Sequence, residues 1–256
     1  EIRFCDWSSD VCSSDLCRMF PIRDSVPKYQ APVIVYGLIA VNTLIFLYQT
    51  NLGEFRAATF AYTYGMVPAR YFGGGVFPNG HPIGDLYPLV TSAFLHGGWL
   101  HIILNMWTLL IFGSTLESRL GPVQFLIFYL CCAVLSGYAH GYFNAYSEVP
   151  VIGASGAIAG VIGAYALRFP TARITLLVPV IIIPFIFTIP ALAYAVIWFA
   201  IQLLQGTWDV FMPSVGDGIA WWAHIGGFVA GLVLLPFFLL FAPVQPQTTW
   251  QRGPWD

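Results

Sequence analysis

Charge is what this sequence has least of. Only 9% of its 256 residues are Asp, Glu, Lys or Arg, against roughly 25% in a soluble domain. A chain this poor in charge cannot cover a water-facing globule, which argues against a soluble enzyme. A basic footprint is missing too. The formal net charge is -2 and the pI about 6.2, so nucleic acid is not an expected partner. The five cysteines give neither a disulfide framework nor a metal-ligand spacing. Cys5, Cys12 and Cys17 crowd the first seventeen residues, and Cys131 and Cys132 are neighbours in an apolar run. His-Glu-x-x-His is absent, and Asp217 has no aspartate partner within a span. No internal repeat and no buried acidic pair point to a small-solute transporter. No metal and no cofactor is expected.

What the chain has is apolar length. Hydrophobic residues make up 58% of it and the mean hydropathy is +0.74, the composition of a polytopic membrane protein. The start differs from the rest. Residues 1–18 are polar, repeat Ser-Ser-Asp and carry no apolar stretch. They read as an adapter-derived or disordered tail ahead of Met19, not as a signal peptide. The membrane domain is expected over residues 19–242, with a short tail over 243–256.

A span needs roughly 20 mostly apolar residues. Val33–Gln49, His101–Leu116, Val123–Phe143, the shorter Ser155–Phe169 and Ile219–Phe241 are candidates. Ile174–Leu204 carries no charge and is too long for one span, with prolines at 179, 184 and 190. Its first half would reach only about 21 Å as a helix, and its prolines oppose a straight one. An interfacial segment followed by one span, about Pro190–Leu204, makes six. The expected fold class is all-α, a polytopic six-helix transmembrane bundle. This count puts Arg18, Arg23, Lys28, Arg119, Arg168, Arg173 and Arg252 on one side, and only Arg56 and Arg70 on the other. By the positive-inside rule both termini are then cytoplasmic. The first loop, about Thr50–Gly97, is much longer than a connector needs and rich in aromatics. It is expected to be ordered at the membrane interface.

Polar groups within spans mark function more often than packing. With six spans, the second, fourth and sixth run in the same direction. Each carries a polar residue near its outer end: His101 and Asn105, Ser155, and His224. They can therefore meet at one depth. Ser155 stands in Gly153-Ala154-Ser155-Gly156, where the glycines allow a tight turn. A serine at a helix start faces free N–H groups that favour an anion. Small residues of this kind equally serve close helix packing. His224, Gly227 and Gly231 share a face and can pack against a small face at Ser155, Ala159 and Gly163. That would bring His224 to Ser155 as its general base. The alternative is a histidine hydrogen-bonded across a packed interface. His101 and Asn105, at i and i+4, can both donate to an oxyanion, or form a structural polar pair. His96 reads as a loop anchor, and Glu117 and Arg119 as boundary anchors. His81 and His140 receive no role.

Taken together, His96-x4-His101-x3-Asn105, Glu117-Ser118-Arg119, Gly153-Ala154-Ser155-Gly156 and Ala223-His224-x2-Gly227-x3-Gly231 resemble the rhomboid family of intramembrane serine proteases, in its six-span bacterial form. The resemblance runs from about Met19 to Ala242. It implies a Ser155–His224 dyad and an oxyanion site from His101, Asn105 and the Ser155 amide, with Gly156, Gly227 and Gly231 at the helix crossing. It further implies a cavity open to the outside, a gate formed by the fifth span and the Gln205–Gly218 loop, and cleavage of transmembrane protein substrates within the lipid bilayer. A bacterial inner-membrane location goes with it, while the oligomeric state is left open. The rival is an inactive rhomboid-like protein that binds transmembrane clients. Two positions depart from the family pattern. Tyr87-Pro88 stands where many members have Trp-Arg, which removes an expected loop anchor. Ala159 stands where some have a tyrosine stacked on the dyad histidine, so another group must orient His224.

Overall fold

A computed structural model describes residues 20–74, 86–180, 183–211 and 220–243. The stretch 1–19, the tail beyond residue 243, His81, Asp217, Arg252 and residues 212–218 of the expected Gln205–Gly218 loop lie outside the described residues, while residues 205–211 of that loop are helical.

Helices dominate. After strand β1 (Phe20–Asp24) come α1 (Val33–Thr50), α2 (Glu54–Tyr64), α3 (Pro68–Tyr71) and α4 (Pro88–Thr91). A continuous helix follows, made of α5 (Trp99–Thr108), a π-helical turn (Leu109–Gly113) and α6 (Ser114–Leu120). Then come α7 (Pro122–Phe143), α8 (Ser155–Arg168), the strands β2 (Arg173–Val180) and β3 (Ile183–Pro190), α9 (Ala191–Phe211) and α10 (Trp221–Leu239). Among the described residues, five helices are long and apolar enough to cross a membrane: α1, Trp99–Leu120, α7, Ala191–Trp208 of α9, and α10. The chain is an integral membrane protein of helical class. The sixth expected span is α8, whose 14 residues reach about 21 Å, short of a bilayer core.

The shortness of α8 follows from where it sits. Every residue from Gly156 to Ala166 is buried, because α7 and α10 flank it closely. Gly156 abuts Ser136 of α7, seven residues before that helix ends at Phe143. At 1.5 Å per residue, α8 therefore starts about 10 Å below the end of α7. A side chain at Gly227 would overlap the Gly156 carbonyl oxygen, and one at Gly231 the Gly160 carbonyl. The two backbones touch, as small residues allow inside membranes. The contacting line on α8 is Gly156, Gly160 and Gly163, the last against the Phe228 carbonyl. Gly163 is shared with the expected Ser155–Ala159–Gly163 face, whereas Gly156 and Gly160 take the places of Ser155 and Ala159, each one residue, about 100°, further round the helix. Carbonyl oxygens can nest only where no Cβ intervenes, and Ala159 has one.

Ile174–Phe187, expected as an interfacial segment, is most of a hairpin. β2 and β3 pair antiparallel from Arg173↔Pro190 to Val180↔Ile183, and β1 pairs with β2 on its other edge. Ile, Val, Thr and Phe supply strand propensity, and the prolines forbid a helix. This small sheet adds to the helical class. It lies at the end of the bundle where α1, α7 and α9 start and α6, α8 and α10 finish. Glu117, at 1% exposure, accepts from the Ile34 and Val35 N–H groups at 2.9 Å each. It thereby caps α1, whose N-cap Pro32 makes no side-chain cap bond. Asp24 accepts from Thr115 Oγ1 at 2.5 Å and Tyr165 OH at 3.1 Å, and Lys28 reaches it at 3.7 Å. Arg119 lies over the Tyr29 ring.

At the opposite end, the long first loop is ordered through its described parts as α2, α3 and α4. Near the end of the loop, Gln49 of α1 holds the backbone of His96. Gln49 Nε2 donates to the His96 carbonyl at 3.4 Å, and Oε1 accepts from the His96 N–H at 3.1 Å. Thr91 Oγ1 donates to the Tyr64 carbonyl, and Met66 bridges to Val151.

Candidate active site

Ser155 opens α8, and Gly153, two residues earlier, makes the entry possible. Its φ is +128°, a conformation that costs a side-chain-bearing residue but not glycine. Its N–H is held by the Ser92 carbonyl at 2.8 Å. The turn presents the Ser155 hydroxyl beside a small cavity whose lining includes Ser92, Ser136, Gly153 and Ala223.

His224 is the fourth residue of α10. The α8–α10 crossing brings its Nε2 to 2.8 Å from Ser155 Oγ. Its Nδ1 lies 2.6 Å from Oε1 of Gln202, on α9. Two indoles flank the imidazole. Trp198 is at 5.8 Å and 41°, Trp221 at 6.1 Å and 87°. Ala159, where some family members carry an aromatic, is fully buried. Gln202 is the site residue the sequence reading does not single out. The available signal was an amide in a largely apolar run, four residues after Trp198 and three before Gln205.

His101 stands on the first turn of α5. Its Nδ1 accepts from the Gly97 N–H at 3.4 Å, so in the neutral ring Nε2 carries the proton. That edge faces Gly153. A Cβ there would lie 2.7 Å from His101 Nε2 and 3.7 Å from Ser155 Oγ. The missing side chain leaves a gap between a donor and the serine. Asn105, one turn on and buried, donates from Nδ2 to the His101 carbonyl at 2.9 Å. Nδ2 has a second N–H.

His96 is 2% exposed and its ring meets that of His101 edge-on at 5.0 Å. Neither of its ring nitrogens has a hydrogen-bond partner among the described residues. Burial, and then the neighbouring His101, push its pKa from 6.5 down to about 3. It is held as a neutral ring, with its backbone tied to Gln49. His140 is buried in α7. Among the described residues, no group of three or more His, Cys, Asp or Glu could hold a metal.

Comparison with known proteins gives this arrangement its context. The family model of the rhomboid domain matches residues 84–241, and the chain belongs to the rhomboid family. It is 26% identical over 215 residues to the mitochondrial rhomboid protein 1 of Saccharomyces cerevisiae, covering 78% of this chain and 51% of that one. It is 31% identical over 176 residues to the mitochondrial RHOMBOID-like protein 6 of Arabidopsis thaliana, covering 66% and 47%. It is 28% identical over 150 residues to the rhomboid protease GlpG of Yersinia pestis, covering 59% and 47%. The chain spans about half the length of these curated relatives. A family that includes named proteases fits a serine–histidine pair. The expected bacterial inner membrane gains no support, since two of these three relatives are mitochondrial by name.

Proposed function

We propose that the chain is an intramembrane serine endopeptidase that cleaves transmembrane segments of other proteins. One observation carries the reading: His224 Nε2 and Ser155 Oγ, from two different helices, are 2.8 Å apart, hydrogen-bond distance for a nucleophile and its base. His224 takes the Ser155 proton as Oγ attacks the scissile carbonyl. The Nε2–H of His101, Asn105 Nδ2 and the backbone at the start of α8 stabilise the oxyanion. His224 then protonates the leaving amine, and water releases the acyl group. Gly156, Gly227 and Gly231 serve by packing, because the α8–α10 crossing sets the distance between the two reacting groups.

The depth of the site supports the substrate class. Ser155 begins a helix about 10 Å inside the span of α7, where lipid excludes extended backbone and a helix hides its carbonyls. Segments with helix-weakening residues near their ends are therefore the preferred substrates. The end carrying Arg23, Lys28, Arg119, Arg168 and Arg173 is the cytoplasmic one, and Ser155 lies toward the opposite face. The test is reconstitution with a tagged single-span substrate and a serine-reactive fluorophosphonate. Parent protein cleaves and is labelled at Ser155, and Ser155→Ala does neither. Client binding without cleavage or labelling would establish an inactive family member instead.

A further inference from the structure

We propose that Gln202 is the positioning residue of the Ser155–His224 pair, accepting the His224 Nδ1–H and thereby fixing the imidazole in the tautomer whose Nε2 can take the serine proton. The inference rests on the dyad reading and deepens it.

The amide oxygen of Gln202 can only accept. At 2.6 Å from Nδ1, it requires the imidazole proton on Nδ1. Nε2 is then a bare lone pair, 2.8 Å from the Ser155 hydroxyl. The opposite tautomer would point an N–H at Ser155, and no general base would exist. In serine proteases built for water, a carboxylate performs this task and also stabilises the imidazolium. Inside a span a carboxylate carries a large desolvation cost. A glutamine supplies the same acceptor direction without a charge.

The placement of Gln202 is over-determined. Tyr194, Trp198, Gln202 and Gly206 recur every four residues along one face of α9. Tyr194 stacks on Phe112 at 5.5 Å. Trp198 lies between His224 and Phe228, at 5.8 Å and 6.1 Å. Gly206 lets the helix close on Trp221. These contacts fix the rotation of α9 on both sides of Gln202, whose 5% exposure keeps water from competing for Nδ1. A buried amide is costly unless bonded, and the bond of Gln202 is made to the reacting histidine.

Three variants test this in reconstituted, full-length protein: Gln202→Leu, Gln202→Met and Gln202→Glu. Removing the acceptor in Leu or Met should lower kcat by on the order of 10- to 100-fold, the worth of one buried hydrogen bond. KM and melting temperature should stay near the parent values. Fluorophosphonate labelling of Ser155 should slow in parallel. Gln202→Glu, which keeps an acceptor oxygen, should recover part of the loss. The decisive reading is 15N NMR of the His224 ring in protein labelled at histidine. The parent should show Nδ1–H, and the Leu variant a mixture of tautomers. An Nε2–H tautomer in the parent, or unchanged labelling rate and tautomer in the Leu and Met variants, overturns the proposal. Failure of the underlying reading looks different: the parent itself is then not labelled at Ser155, while the ring tautomers still report on Gln202.

Discussion

At the sheet end of the bundle, polar side chains bond to backbone or to one another. Glu117 caps α1 with both oxygens, and Asp24 collects a threonine, a tyrosine and a lysine. At the loop end, polar side chains face each other across helices and keep spare capacity. His224 joins Ser155 to Gln202, Asn105 uses one N–H of its amide, and His96 is buried with no ring partner among the described residues. Both ends are buried and both are polar. What separates them is convergence. A structural carboxylate is satisfied by what it holds together, whereas a reactive site holds donors and acceptors aimed at a space another molecule can enter.

Substitutions at the two ends should therefore split activity from stability. The largest effect belongs to the loop end. Ser155→Ala and His224→Ala should each lower cleavage on the order of 10⁴-fold or more, with unchanged melting, and the double variant should be little worse than either single one because the pair acts as a unit. Additive losses would break the dyad reading. The sheet end should show the reverse. Glu117→Ala strands the Ile34 and Val35 N–H groups and should cost about 3 kcal/mol, the scale of charge-assisted bonds. Turnover per folded molecule should hold, and a fall in turnover at parental stability would erase the contrast.

Asn105→Ala should lower kcat by about tenfold with KM unchanged. This is less than the roughly 2.7–4 kcal/mol lost where a lone oxyanion donor is removed, because His101 remains. The structural alternative forecasts a lower melting temperature with normal turnover. His96 gives a pH signature. With its pKa held near 3 rather than 6.5, the unfolded chain binds a proton between those values and the folded one does not. Its contribution is intact above pH 6.5 and falls by about 1.4 kcal/mol per pH unit on acidification toward 3. His96→Phe should make the decline of melting temperature with acid shallower, and an unchanged slope would remove that role. The smallest effect is that of Lys28→Ala. Its contact with Asp24 is 3.7 Å long and its side chain 37% exposed, so the loss should stay under about 0.5 kcal/mol and vanish in salt. A larger loss would make the ion pair part of the latch that Thr115 and Tyr165 form on Asp24.

Legibility in the sequence followed range. Long apolar runs and their basic flanks made the helical membrane class readable, because a bilayer constrains every residue of a span in the same way. The ends of α1 and α7 came within a residue of expectation, whereas α9 runs to Phe211, beyond the expected Leu204. The interfacial segment was legible as non-helical from its prolines. That it pairs as β2 and β3 was not read from its uninterrupted apolar run, and the third strand, Phe20–Asp24, was beyond reach because it pairs with residues some 150 positions away. Gly163 was read correctly on the small face of α8, but Ser155 and Ala159 were named where Gly156 and Gly160 make the contact, because spacing alone cannot say which small residue meets a carbonyl.

By itself, the sequence determined that this chain lies in a membrane, that it belongs with proteins carrying these serine, histidine and asparagine motifs, and that α8 is short and small-sided. These are local properties of composition and order. The tertiary structure decided which glycines let α8 and α10 touch, that Gln49 ties the end of the first loop to α1, and that Gln202 stands behind His224. Each of these depends on the rotation of one helix against another, which is set by packed side chains from distant parts of the chain.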